Sequence, residues 1–523
     1  MERFSGVLLP VISLPSSYGI GCFSQEAYDF VDWLAQSGQK YWQILPLGPV
    51  SHTGAFDSPY QAFSAFAGNP NFICLEDLIR EGTLTKAECD AADFGSDPVH
   101  VDYDKLYKNR LPLLYKAYTR SRISENPQYQ KFIAENFWWL DDYALFMAVK
   151  EFFHGMPWYE WPEDIRMHWD NALNYYREKL YFPVEFQKYL QFQFHTQWHR
   201  LKKYANERHV EIVGDIPIYV SLDSSDVWSH PELFQLDENN RQTRVAGCPP
   251  DGFAPDGQLW GNPLYRWEYH KQTGYHWWVT RLWHSFTLYD MVRIDHFRGF
   301  DEYYSIPAKD KTAKNGKWMP GPGMDLFGAI RANLGDRKII AEDLGFITDT
   351  VRQLVKDSGF PNMKVLEFAF DLGDESGGND YLPHNYGPNA VVYTGTHDNS
   401  TVNGWFRGLS KEQQSLVRDY LSDHKTATKD MNWSLISLAM RSVANTCIIP
   451  IQDYLGLDDT ARFNVPGTVD NNWCWRLKRG QVTDALGERV LALSKRYGRA
   501  NWDAIHKTEK KPEIQEEPVF TKA

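Results

Sequence analysis

The sequence predicts a (β/α)8 barrel with insertions between its strands. Three observations lead there. Eight short apolar runs, ending in polar or Gly/Pro turns, recur along the 523 residues. Most are apolar throughout, as parallel strands covered on both faces should be. Helical patterns separate many of them, and strands alternating with helices imply a parallel sheet that eight strands can close. The chain is longer than an ordinary domain, but this fold absorbs insertions and can exceed about 400 residues.

In chain order the runs are 6–14, 41–47, 210–220, 290–297, 337–344, 363–370, 391–398 and 447–455. After the first, Ser24 is placed as an N-cap for a helix whose apolar positions extend through Trp33-Leu34. A long amphipathic stretch covers 185–209 and a shorter one 348–357. Two intervals are too long for simple crossovers. The first, about 48–181, opens with a turn-rich stretch at 51–71. From Lys105 it reads as helices crowded with aromatics such as Phe137-Trp138-Trp139, and is expected to be a largely helical insertion with those rings in its core. The second, about 221–274, contains Ala246-Gly247-Cys248-Pro249-Pro250-Asp251-Gly252-Phe253-Ala254-Pro255-Asp256-Gly257. That composition breaks both helix and strand. It is expected to be a loop-rich lid, the bland alternative being a surface excursion. The organisation expected is one catalytic barrel domain over 1–507 and a frayed, charged tail over 508–523.

Net charge is −13, which argues against a nucleic-acid backbone or an anionic membrane as the main partner. The 20 Trp, 29 Tyr and 30 Phe suit a core and also suit stacking on sugar rings. The six cysteines at 22, 74, 89, 248, 447 and 474 contain no CxxC, so they fit neither a disulfide framework nor a zinc site. The opening Met-Glu-Arg-Phe-Ser-Gly leads into an apolar stretch broken at Pro10 and does not read as a signal peptide. No run approaches the roughly 18 apolar residues of a membrane span. A reducing, cytoplasmic location is expected.

In a barrel, chemistry sits where strands end. The fourth run ends in Arg293-Ile294-Asp295-His296-Phe297-Arg298-Gly299. Alternation of side chains puts Arg293 and Asp295 on one face, where the guanidinium should hold Asp295 ionised. A purely structural Arg–Asp pair would look the same at this point. The third run contributes Gly214-Asp215-Ile216-Pro217, the fifth Ala341-Glu342-Asp343-Leu344-Gly345 and the seventh Thr396-His397-Asp398-Asn399. Converging at one mouth, these supply carboxylates, an Arg and two His. Double-displacement glycoside chemistry needs a carboxylate nucleophile and a carboxylic acid that becomes a base. Asp295 suits the first role. Glu342 suits the second, with two nearby ionised Asp raising its pKa. Asp398 suits substrate distortion through hydroxyl contacts, and His296 and His397 can hydrogen-bond hydroxyls.

Other readings use the same residues. Asp215, His296, His397 and Asp398 could be metal ligands in a barrel hydrolase, but such sites need closely spaced His, and Val7-Leu8-Leu9-Pro10-Val11 offers none. A non-catalytic glucan-binding barrel would have no use for Arg293 beside Asp295 together with a separate Glu342.

The pattern resembles the α-amylase-like superfamily, whose third, fourth, fifth and seventh strands carry such residues. Within it, the chain is similar to the amylomaltase (4-α-glucanotransferase) family, glycoside hydrolase family 77, from the first strand to past Trp473. The more specific motifs are Asp57-Ser58-Pro59-Tyr60, Gly214-Asp215-Ile216-Pro217, Pro249-Pro250-Asp251 and Gly257-Gln258-Leu259-Trp260-Gly261-Asn262-Pro263. They continue with Arg293 to Arg298, Ala341-Glu342-Asp343-Leu344-Gly345, Thr396-His397-Asp398-Asn399 and Asn464-Val465-Pro466-Gly467-Thr468. The resemblance implies Asp295 as nucleophile, Glu342 as acid/base and Asp398 as transition-state stabiliser. It implies glucan contacts from Ser58, Tyr60, Asp215, Trp260, Arg293, His296 and Asn464, no metal, no cofactor, and the short form without an N-terminal extension.

The expected activity is transfer of α-1,4-glucan segments between maltooligosaccharides, amylose or glycogen-derived glucans, with release of glucose and retention of configuration. A retaining α-glucan hydrolase of the α-amylase type carries the same residue types and differs in whether water completes the second step. The stretch 245–262 is expected to arch over the cleft and set Trp260 against a glucose ring, holding an acceptor and excluding water.

Overall fold

The structure is a computed structural model describing residues 2–50, 57–250, 255–345, 347–373, 377–469 and 471–509. Among these the strands are β1 (Phe4–Leu8), β2 (Tyr41–Gln43), β3 (Glu211–Pro217), β4 (Arg244–Cys248), β5 (Gln258–Pro263) and β6 (Met291–Asp295). They continue with β7 (Glu302–Pro307), β8 (Lys317–Pro320), β9 (Ile339–Ala341), β10 (Asn362–Val365), β11 (Ala390–Tyr393) and β12 (Thr446–Pro450). A closed barrel is built in the order β1-β12-β11-β10-β9-β6-β3-β2. Every pairing in it is parallel. The eight apolar runs therefore each supply one barrel strand, and the fold is the (β/α)8 barrel.

The runs outlast the strands. Past β1, β10 and β12 the chain turns into short helical segments at Val11–Ser13, Leu366–Phe368 and Ile451–Leu455. Val11, Leu366 and Ile451 are as buried as the strands before them, so apolar content alone does not mark the turn. Helix Gln25–Gln36 begins after Ser24 as the sequence suggests, but the Ser24 hydroxyl bonds Ser16 and Glu26 rather than a helix amide. The stretch 185–209 lies in helix Tyr181–Glu207. The stretch 348–357 lies in Asp349–Ser358, capped by the Thr348 hydroxyl on the Val351 amide.

Between β2 and β3 stand the long helices Tyr103–Ser121 and Pro127–Phe152, packed on Tyr181–Glu207. Of the three adjacent aromatics there, Trp139 is buried, Trp138 half-buried and Phe137 62% exposed, because each helical step rotates the side chain to a new face.

The interval 221–274 corrects the expectation of a stretch without strands. β4 and β5 form an antiparallel hairpin, extended by β7 and β8 into a four-stranded sheet in the order β5-β4-β7-β8. Gly247 explains the error. A Cβ there would sit 2.1 Å from the Gln258 carbonyl oxygen, so the glycine serves close strand approach at a register shift rather than a turn. The tip of the expected lid at 251–254, the start of the turn-rich stretch at 51–56 and the tail from 510 lie outside the described residues. A single apolar core extends from Val7 to Ala504, with a small separate cluster under β4 and β7.

Candidate active site

Strand register assembles the first half of the site. β3 and β6 pair Asp215 with Arg293, and β6 and β9 pair Ile294 with Ala341, so the ends of three neighbouring strands meet. Arg293 Nη1 donates to both oxygens of Asp215 at 2.8 and 2.7 Å, and Nη2 lies 2.9 Å from Asp295 Oδ1. One guanidinium thus joins carboxylates on adjacent strands, Nη1 serving Asp215 and Nη2 Asp295. Burial works against its charge, but Asp215 and Asp295 raise Arg293 well above the ordinary arginine value, so it is a fixed cation. Asp215 is fully buried and also accepts the Tyr60 O–H at 3.0 Å. Burial pushes its carboxyl up against the downward pull of Arg293. Asp295 stays 30% exposed and faces the mouth.

Glu342 follows β9 directly. Its Oε2 accepts the His296 amide at 2.6 Å and its Oε1 the Leu344 amide at 2.9 Å. The His296 donor is aimed by a left-handed backbone, φ 53° and ψ 48°, uncommon for a residue with a side chain. Burial raises the Glu342 pKa to about 8, with the Asp295 charge adding to it and Arg293 and the two amides opposing. The raised value was anticipated, but burial exceeds the neighbouring carboxylate as its cause. At neutral pH Glu342 is mostly protonated while Asp295 lies against a permanent cation.

The second half comes from loops. Asp398, past β11, accepts Asn464 Nδ2 at 2.7 Å and has His397 Nε2 at 3.4 Å. Tyr60 stacks on His397 with centroids 5.2 Å apart and hydrogen-bonds its Nε2 at 2.8 Å. With the Tyr60 O–H donated to Asp215, its oxygen accepts from His397, and the mouth is bridged from β3 to the Asp398 loop. Among the described residues Ser58 takes part through the turn, its hydroxyl accepting the Tyr60 amide at 3.3 Å. Trp260, on β5, meets His296 edge to face at 4.8 Å. Burial lowers His296 to about 4, so this ring is neutral at pH 7.

Asn464, Asp398, His397, Tyr60, Asp215, Arg293 and Asp295 thus form one chain of side-chain contacts, and the Trp260–His296 pair joins Glu342 through the His296 amide. Two others escaped the sequence reading. Arg462 donates to the main-chain carbonyls of Asp398 at 2.9 Å and Asn464 at 3.2 Å, tying the two loops together. Trp473 packs against both Tyr60 and His397. The one available signal for Arg462 was its place two residues before Asn464. Among the described residues, no group of three or more His, Cys, Asp and Glu side chains could hold a metal ion.

Comparison with known proteins gives the family. The 4-alpha-glucanotransferase family model, glycoside hydrolase family 77, matches residues 9–483. A 4-alpha-glucanotransferase of Streptococcus pneumoniae is 48% identical over 508 residues, 96% of this chain and 99% of that protein. One from Thermus thermophilus is 43% identical over 503 residues, 94% of this chain and 98% of that protein. Among solved structures, an amylomaltase from Streptococcus agalactiae in complex with acarbose has a TM-score of 0.92 at 41% identity, covering 96% of this chain and 100% of that one. With a matched family model across most of its length and relatives of this identity end to end, the chain belongs to the 4-alpha-glucanotransferase family, glycoside hydrolase family 77.

Proposed function

We propose that this 4-α-glucanotransferase moves α-1,4-glucan segments by a retaining double displacement in which Asp295 is the nucleophile and Glu342 the acid/base. The observation that carries the reading is the contrast between two neighbouring carboxyls. Glu342 is raised to about 8, while Asp295 contacts the guanidinium of Arg293. In the first step an Asp295 oxygen attacks the anomeric carbon and the glycosidic bond breaks. The leaving oxygen takes the Glu342 proton, and the shortened glucan or glucose departs. Ester formation removes the charge of Asp295, the second-largest cause of the raised Glu342 value. The pKa of Glu342 then falls, which suits it to take the proton from the acceptor hydroxyl that attacks the ester. Asp398, oriented by Asn464 and beside His397, is suited to bind ring hydroxyls as the sugar flattens.

The acceptor is a maltooligosaccharide, amylose or a glycogen-derived glucan. The names of the relatives favour transfer over hydrolysis. Maltotriose should give glucose plus a ladder of longer maltooligosaccharides with almost no net gain in reducing ends. One new reducing end per bond cleaved would replace this reading by a hydrolase. A fluorinated glycosyl donor should leave a mass adduct on the peptide carrying Asp295, and Asp295→Asn should lower kcat by orders of magnitude. Labelling only elsewhere would remove Asp295 from the role.

A further inference from the structure

We propose that the outer flank of the barrel carries a second, non-catalytic pocket that binds a neutral sugar, one or two glucose units of an α-glucan. The proposal rests on the transferase reading only for the identity of that sugar. A cavity of about 330 Å³ opens where helices Pro127–Phe152, Ser225–Ser229, Trp267–Gln272 and His276–Leu288 meet. That volume lies at the lower end of the range of small-ligand sites, roughly 300–1,000 Å³.

Its walls combine the two kinds of surface that a sugar needs. Trp138, Tyr269 and Trp277 supply rings for the apolar faces of a pyranose, and Asp142, Asp226 and Glu232 supply acceptors for its hydroxyls. Trp277 is 8% exposed, so it lends the cavity only an edge of its ring, its indole N–H being buried behind the wall. No Lys or Arg lines the cavity; Arg177 pairs with Asp142 at 3.6 Å from behind and His230 with Glu232 at 3.4 Å, so a phosphorylated ligand would find three carboxylates and no guanidinium or ammonium of its own. A neutral polyol fits; an anion does not.

The pocket is also tied to the catalytic mouth. Ser64 and Phe66 form part of its wall, and Asp226 accepts the amide of Ala65 between them at 2.8 Å. That segment follows closely on Tyr60, which bridges Asp215 and His397. A glucan end seated here would anchor the enzyme on a long chain beside the site that cuts and rejoins it.

The test compares glycogen and maltotriose on the full chain. In native gels containing glycogen, Trp138→Ala should reduce retardation roughly two- to tenfold, the range expected for one aromatic contact. Its rate on maltotriose should stay within about twofold of wild type, since a short substrate does not need the anchor. Glu232→Gln, whose side chain is 42% exposed at the rim, should weaken retardation in the same direction and tests the pocket if Trp138→Ala does not fold. A crystal of Asp295→Asn soaked in maltose should show sugar against Trp138. Unchanged retardation in both variants, or a soaked crystal with sugar in the catalytic cleft and none in this cavity, overturns the proposal. A protein that makes no ladder from maltotriose but still loses retardation with Trp138 sinks the transferase reading and leaves the pocket standing.

Discussion

Glu342 and Asp295 are both carboxyl groups at barrel-strand ends, yet burial raises Glu342 to about 8 while Asp295 lies open to the mouth against the Arg293 guanidinium. The acid form of Glu342 is the one that starts the reaction, so kcat/KM should fall as pH rises through about 8. Asp295→Asn removes the second-largest cause of that value and keeps the burial. The Glu342 titration, followed by infrared spectroscopy of the carboxyl stretch, should therefore move below about 8 without returning to an ordinary glutamate. A Glu342 titration unchanged in Asp295→Asn would mean that the two groups do not sense each other. At this scale the Arg293–Asp295 pair was legible because side-chain alternation along a strand is a rigid rule. Arg462 was not, because its bonds go to main-chain carbonyls of two loops, and a carbonyl leaves no trace in residue identity.

Elements were legible in kind and less so in extent. All eight barrel strands show as apolar runs because both faces of the barrel wall are covered. Their ends blur because the following turns are just as apolar. The β4–β5 hairpin was hidden by Gly247, Pro249 and Pro250, which read as breakers although two flanking strands pair across them. The hairpin brings Trp260 within ring contact of His296, the residue after Asp295. If that ring holds the acceptor sugar, Trp260→Ala should slow transfer more than hydrolysis and raise the hydrolytic fraction. Counting reducing ends against glucose released from maltotriose measures the ratio. Effective molarities for well-oriented groups, about 10⁵ M or more, leave ample room for such an acceptor to outcompete water. An unchanged ratio would mean that the hairpin does not hold the acceptor.

At the scale of the molecule, desolvated histidines contribute to the acid limit, His270 and His284 along with the His296 of the mouth. Burial lowers His270 and His284 to about 4. The unfolded value is about 6.5, so the unfolded chain binds these protons first. Stability from the neutral rings is complete above roughly pH 6.5 and is lost as pH falls toward 4, by about 3 kcal/mol per ring. Melting temperature should drop over that window, and His284→Gln should flatten the slope. An identical slope in the variant would assign acid sensitivity to other groups. The closed barrel also has a history in time. β1 pairs Phe4 with Thr446 on β12, so one edge of the first strand waits for the last. A ribosome adding roughly 5–20 residues per second takes roughly 20–90 s to cover the distance between them. Throughout that interval the nascent chain carries an open strand edge that any other unfinished copy can pair with. A stall or truncation before β12 therefore leaves a chain with most of its catalytic groups made and its first strand free to recruit a neighbour. The last strand to leave the ribosome is the one that protects the first.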